Sequence, residues 1–326
     1  MVPARVSSDH PRSWYRPEKL VAASTMRPGQ HVTSIGRGDL PRKDAPMTTT
    51  EAARRQDNYA LGRTPEEYDR LRAQARVWES ATGRLLDQVG LARGASCLDA
   101  GCGPGETMRL MAQRVGPAGR VLGIDVDASL GAMALAALHG AGHRHCDFQA
   151  HDLTAGGPIP GAPFDVVYAR LLLFHLPQRR AVLARLWDAV APGGHLVIQD
   201  YDLRTVSVLP ARDSVEEIGR VIIGAFTAVG CDVHAGARLP QLFVQAGAGV
   251  PDGTDVAGRI EPLGSGRQLL EHVFRSVLPT ALAHGVTTGE GAAAALEAVG
   301  RDAADFAGIP MLWPLMIGAW KRKEQA

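Results

Sequence analysis

The sequence predicts an α/β fold, a mostly parallel sheet covered by helices on both faces. Three observations predict it. Short apolar runs alternate with helix-length segments between residues 96 and 201, the first run ends in a tight glycine turn, and the second ends in an acid twenty residues beyond that turn. Strands that alternate with helices build parallel sheets, and such sheets take ligands at the carboxyl ends of their strands.

The elements follow in order. Leu98-Asp99-Ala100-Gly101-Cys102-Gly103-Pro104-Gly105-Glu106-Thr107 closes the first strand with an acid and three alternate glycines. Met108-Arg109-Leu110-Met111-Ala112 continues at helical spacing. Glycines in that position let backbone approach a ligand closely beside a helix N-terminus. Arg120 to Asp125 reads as the second strand. Asp125 then stands where an acid takes two ribose hydroxyls, and Val126 where a side chain lies against an adenine face. His145 to Leu153 reads as the third strand and its exit, with Asp152 placed to accept from an adenine amino group and Leu153 offering an apolar edge. Phe164 to Arg170 is the fourth strand. A helix over Arg179 to Val190 stops at the turn Ala191-Pro192-Gly193-Gly194, and His195 to Tyr201 is the fifth strand.

The glycine spacing alone fits several adenine-bearing ligands, and Asp99 separates them. A carboxylate two residues before the first glycine is repelled by a pyrophosphate, by roughly several kcal/mol in a low-dielectric cleft. It suits S-adenosylmethionine (SAM), which carries an α-ammonium and a sulfonium and no phosphate. A nicotinamide dehydrogenase is accordingly disfavoured.

Asp99-Ala100-Gly101-Cys102-Gly103-Pro104-Gly105, Asp125, Asp152-Leu153, Phe164-Asp165-Val166-Val167 and Pro192-Gly193-Gly194 stand in an order and spacing that resembles the class I SAM-dependent methyltransferases, of small-molecule type. The resemblance covers about residues 59 to 201. It implies a Rossmann-like seven-stranded sheet in the order 3-2-1-4-5-7-6 with strand 7 antiparallel, and Met311 to Arg322, broken by Pro314, fits that last strand. It implies SAM as cofactor, held by Tyr59, Asp99, Gly101, Cys102, Gly103, Gly105, Asp125, Val126, Asp152, Leu153 and Arg170. One departure is His151, where many relatives carry Gly.

Three regions are expected. Residues 1–46 are rich in Pro, Ser, Arg and Gly without helical or strand period, and read as a disordered extension; Met47 offers a second translation start. Residues 47–92 read as an N-terminal helical cap, opened by the capping box Thr64-Pro65-Glu66-Glu67. Tyr68, Leu71, Ala75, Trp78, Leu85 and Val89 recur there at helical spacing, and Gln74 or Trp78 is placed to line a pocket. Residues 93–326 form the SAM-binding domain. Beyond the fifth strand the pattern predicts helices over Ser214 to Val229 and Arg238 to Ala246, then a strand near Thr254 to Pro262. Two further helices over about 264–306 exceed what the connection needs and read as a substrate lid.

In-line methyl transfer needs a general base only where the nucleophile must lose a proton. The candidates are His175, just after the fourth strand, Asp200 and Tyr201 at the end of the fifth, and His272 with Glu271 on the lid. None has metal-ligand spacing, so no catalytic metal is expected. The expected activity is methyl transfer to O, N or C of a small molecule, an aromatic or indole-like secondary metabolite. The alternatives are an RNA or protein methyltransferase, and a SAM-binding protein with a regulatory role.

Composition sets bounds on these readings. With 326 residues and 45% hydrophobic content the chain can bury a large core, and its net charge of +1 gives no basic surface for nucleic acid. Cys97, Cys102, Cys146 and Cys231 show no zinc or disulfide spacing, as in a reduced cytoplasmic protein. No apolar run reaches the roughly 20 residues of a membrane span. A monomer or homodimer acting on a small-molecule substrate is expected.

Overall fold

A computed structural model describes residues 71–73 and 75–325. The capping box at 64–67, Tyr59, Tyr68, Gln74 and the 1–46 extension lie outside the described residues.

The main sheet has seven strands. β1 (Ser96–Ala100), β2 (Arg120–Asp125), β3 (Cys146–Ala150), β4 (Phe164–Arg170) and β5 (Val190–Asp202) pair in parallel. The sheet is completed by β7 (Gly253–Ala257) and β10 (Leu315–Arg322), giving the order β3-β2-β1-β4-β5-β10-β7. β10 runs antiparallel to both neighbours. That is the expected 3-2-1-4-5-7-6 order, with β10 as the seventh strand formed and β7 as the sixth.

The central strands are largely buried on both faces, which is why they read as mostly apolar runs. One face carries α1 (Glu79–Gln88) and α2 (Glu106–Val115), packing Leu85, Leu86, Met108 and Met111 against Val121, Tyr168 and Val197. The opposite face packs α4 (Arg179–Asp188) and α6 (Ala235–Gln245) against β4 and β5 through Leu183, Leu186 and Phe243. α3 (Ala128–Gly140) lies against β2 and β3 and opens on Asp127, whose side chain accepts from the Ser129 and Leu130 amides.

Three sequence expectations are corrected. Pro192-Gly193-Gly194 does not separate helix from strand. The helix ends at Asp188, and residues 191–194 are an irregularity inside β5, where the pairing steps from Phe164 opposite Val190 to Val166 opposite His195. Lys323 makes this possible: its backbone pairs with Gly193 and Gly194, and its ammonium donates to the Trp187 and Val190 carbonyls. The expected last strand over Met311 to Arg322 is two strands, β9 (Pro310–Leu312) and β10, because Pro314 has no N–H for a ladder. The expected strand over Thr254 to Pro262 divides likewise into β7 and β8 (Ile260–Pro262).

β9 is the centre of a second, small sheet, pairing antiparallel with β6 (Ser207–Val208) and β8. With it go α5 (Asp213–Ala228), α7 (Leu263–Ala283) and α8 (Gly289–Asp305), which pack on one another around Ile218, Val221, Phe274, Val277 and Val299. The layer over the site therefore draws on the chain both before and after α6 and β7. It is larger than the 264–306 segment alone.

Candidate active site

The site sits at the carboxyl end of β1, where the glycine turn is built from the inside. Gly101 and Cys102 donate their amides to the Ile124 carbonyl at 2.8 and 3.0 Å, tying the turn to the end of β2. Gly101, Gly103 and Gly105 all have positive φ, and Gly105 is the residue that opens α2. A Cβ at Gly101 or Gly105 would stand 2.9 Å from Leu172 or Ala134, whereas at Gly103 it would meet nothing within 4 Å. Two of the glycines thus serve packing, and Gly103 leaves a bare face of backbone open to a ligand.

Asp125 braces this turn. Its Oδ2 accepts from the Gly103 amide at 2.9 Å and its Oδ1 from the Asp127 amide at 3.0 Å. Burial raises its pKa against the pull of these donors. Each carboxylate oxygen has two lone pairs, so Asp125 can hold the loop and still accept from a diol. Asp125→Ala should therefore weaken SAM binding by about 1.5–3 kcal/mol, as for loss of a charge-assisted contact. Titration calorimetry checks this, and wild-type affinity in the variant would remove Asp125 from the ligand.

Asp99 lies behind the turn, buried, and its Oδ2 has no hydrogen-bond partner among the described residues. Burial pushes its pKa up to about 7; the Arg170 guanidinium opposes this and the Asp125 charge adds to it. A buried carboxylate oxygen without a donor is the natural partner of a cationic ligand group. Arg170 is held in turn by a chain that no sequence signal announced. Its Nη1 donates to Thr82 Oγ1 at 3.0 Å, Thr82 donates to Gln199 Oε1 at 2.9 Å, and Tyr168 donates to the same oxygen at 2.6 Å.

These groups form one end of a cavity of about 650 Å³. Gly101, Cys102, Gly103, Asp125, Asp152, Leu153 and Arg170 all line it. Val126 and Met133 line it as well, and each exposes about half its surface, 51% and 54%, so that an apolar ligand face has somewhere to rest. Asp152 Oδ1 accepts from the amide and hydroxyl of Thr154, both at 2.7 Å, which fixes its orientation at this end. Gly105 does not line the cavity; it acts through the packing of the turn.

The other end is apolar and lies under the small sheet and its helices. Leu203, Ile222, Phe226, Leu270, Val273 and Trp313 line it. Trp78, from the segment before α1, donates its indole N–H to the Tyr201 hydroxyl at 2.6 Å, with the two rings edge to face. His175 also lines the cavity, edge-on to Phe174 and Phe226, with Nδ1 3.9 Å from the Cys231 thiol. Asp200, by contrast, is a brace. Its two oxygens accept from the Phe174 and Tyr201 amides at 2.9 and 3.1 Å, and burial pushes its pKa up to about 7.

His272 is corrected. It is exposed on α7 and does not line the cavity, because Leu270, Phe274 and Val277 turn inward and a residue two beyond Leu270 falls about 200° around the helix. Glu271 pairs with Arg267 on the same helix. Among the described residues, no cluster of His, Cys, Asp and Glu has the arrangement of a metal site. None of the described helices is long and apolar enough to cross a membrane.

A family model described as a methyltransferase domain matches residues 97–194. Trans-aconitate 2-methyltransferase of Paracidovorax citrulli is 38% identical over 120 residues, which cover 37% of this chain and 44% of the relative. The chain thus matches less than half the length of that relative. Methyltransferase str3 of Strobilurus tenacellus is 30% identical over 194 residues, covering 59% of this chain and 67% of the relative. A crystal structure from Bacillus halodurans C-125, named for a methyltransferase, superposes with a TM-score of 0.52 at 14% identity. It covers 76% of this chain and 100% of its own, and shows the fold alone.

Proposed function

The chain belongs to the class I SAM-dependent methyltransferases, and from that premise we propose that it transfers a methyl group from SAM to O, N or C of an enclosed small molecule. The supporting observation is one continuous cavity that joins an acidic, glycine-walled end to an apolar end beneath the cap. The residues at the first end suit the donor. Asp99 offers a free carboxylate oxygen to an ammonium, Gly103 admits the ligand against bare backbone, Asp125 offers acceptors to a diol, and Val126 and Met133 offer apolar surface to a ring.

When bound, SAM supplies an electrophilic methyl carbon on a sulfonium, open to in-line displacement. The protein's part is to hold the acceptor atom in line and keep water out, which can supply much of the rate. Where the acceptor must lose a proton, His175 is the side chain to take it at its ring nitrogen.

The acceptor is uncharged and apolar, of the aromatic, secondary-metabolite kind. Asp99, Glu106, Asp125, Asp127 and Asp152 line the cavity, and Arg170 is its sole Arg or Lys among the described residues. A polycarboxylate would be desolvated there with Arg170 as the one Arg or Lys to meet it, at a cost of several kcal/mol or more per unpaired charge. Calorimetry with SAM, followed by mass spectrometry of small-molecule extracts incubated with enzyme and SAM, tests the function. Binding together with a product heavier by one methylene unit is expected. Tight binding with no methylated product from any extract would favour a regulatory SAM-binding protein instead.

A further inference from the structure

Building on that donor-site reading, we propose that Trp313 selects the acceptor by donating its indole N–H to a carbonyl oxygen on an uncharged ring compound. Trp313 is 7% exposed and lines the apolar end of the cavity, yet its Nε1 has no hydrogen-bond partner among the described residues. The contrast with Trp78 is direct, because the Trp78 indole N–H is satisfied by Tyr201. Buried donors are rarely left unpaired, and the penalty disappears when a ligand brings an acceptor.

The backbone that carries the indole is anchored on both sides. The Trp313 amide donates to the Arg259 carbonyl at 2.9 Å, and its carbonyl accepts from Thr205 Oγ1 at 3.5 Å. Pro314 follows immediately and also lines the cavity. A donor on an anchored backbone, in a largely apolar wall, rewards one ring carbonyl oxygen, a strong acceptor, at one position. It gives nothing to a plain hydrocarbon ring. A site built to hydrogen-bond a polar group rejects analogues that lack it more sharply than an apolar pocket rejects a change of size.

The test is titration calorimetry on the full chain, starting with S-adenosylhomocysteine. Failure of that ligand to bind would sink the donor-site reading and this proposal with it. With it bound, three probes are titrated: 7-hydroxychromone, a bicyclic with a ring carbonyl; 2-naphthol, a bicyclic without one; and trans-aconitate, a tricarboxylate. The chromone is expected to bind about tenfold more tightly than the naphthol, the worth of one hydrogen bond, and trans-aconitate not to bind. Trp313→Phe keeps an aromatic ring and removes the N–H. It should weaken the chromone about tenfold, leave the naphthol within about twofold, and leave S-adenosylhomocysteine affinity and melting temperature unchanged.

Equal weakening of both bicyclics by Trp313→Phe would mean that the indole acts by packing, and would overturn the proposal. So would binding of trans-aconitate, or failure of both bicyclics to bind beside S-adenosylhomocysteine.

Discussion

Asp99→Asn is expected to weaken SAM binding ten- to a hundredfold and to flatten its dependence on pH. The ionised carboxylate is the form that receives the ligand's ammonium, and a charge-assisted hydrogen bond of this kind is worth about 1.5–3 kcal/mol. In the free protein burial pushes the Asp99 pKa up to about 7, so below that pH a proton must be lost before the ligand binds. The wild-type association constant should fall by up to about tenfold per pH unit below 7. The ligand's α-ammonium, ordinarily near pKa about 7.7–8.0, sets the upper limb. Calorimetry at a series of pH values reads both limbs, and a lower limb that survives in Asp99→Asn would take the ammonium away from Asp99.

The same residue has an opposite effect on the ligand-free fold. Asp99 has a folded pKa above the ordinary carboxylate value, so its contribution is fully present below the unfolded pKa, near 4. It is lost as the pH rises through about 7. Asp200 has the same sign and window. Thermal melting of the free protein should therefore weaken from pH 4 toward 7 on account of these groups, and Asp99→Asn should lessen the loss. Stability is given up where the ligand's positive charge is to be received.

The second large effect separates two glycines that look alike in the sequence. Gly103→Ala is expected to leave the fold nearly intact, at about 1–2 kcal/mol for a Cβ at positive φ, yet to weaken SAM binding ten- to a hundredfold. The new methyl enters space that no protein atom occupies. Gly105→Ala meets the Ala134 Cβ at 2.9 Å as well as the positive φ. It should lower the melting temperature by roughly 5–10 °C, from about 2–4 kcal/mol of strain and overpacking. Melting curves and calorimetry on the two variants make the comparison. Wild-type affinity in Gly103→Ala would mean that the open face of the turn does not receive the ligand.

What was legible in the sequence is what depends on local pattern. The strands from β1 to β5, the glycine turn and Asp125 each carry a signature within a few residues, as do the helices from Asp213 onward. Long-range partners carry none. Nothing near Thr82 announces that it joins Arg170 to Gln199, 117 residues away, or that Trp78 will meet the Tyr201 hydroxyl. His272 was misplaced for a related reason: a polar residue among apolar ones in a helix suggests a pocket, and only the direction of packing against α5 shows which side is inside. The strand divisions at Gly258 and Pro314 are blurred in the sequence because apolar residues resume within one or two positions of each break.

The break at Pro314 has one more consequence. Within a few residues the chain passes from the middle strand of the small sheet into the antiparallel strand of the large one, and Leu315 is fastened there by its amide to Thr205 Oγ1 at 2.8 Å. The wall that meets the acceptor and a structural member of the main scaffold are therefore the same stretch of polypeptide. Changes that disturb the backbone of this stretch, unlike the side-chain exchange Trp313→Phe, will be felt in the melting temperature as well. Leu269 and Val273 touch the same space from α7 and carry no such tie. Adaptation to new acceptors has its freest path through the helix, and its most constrained path through the splice.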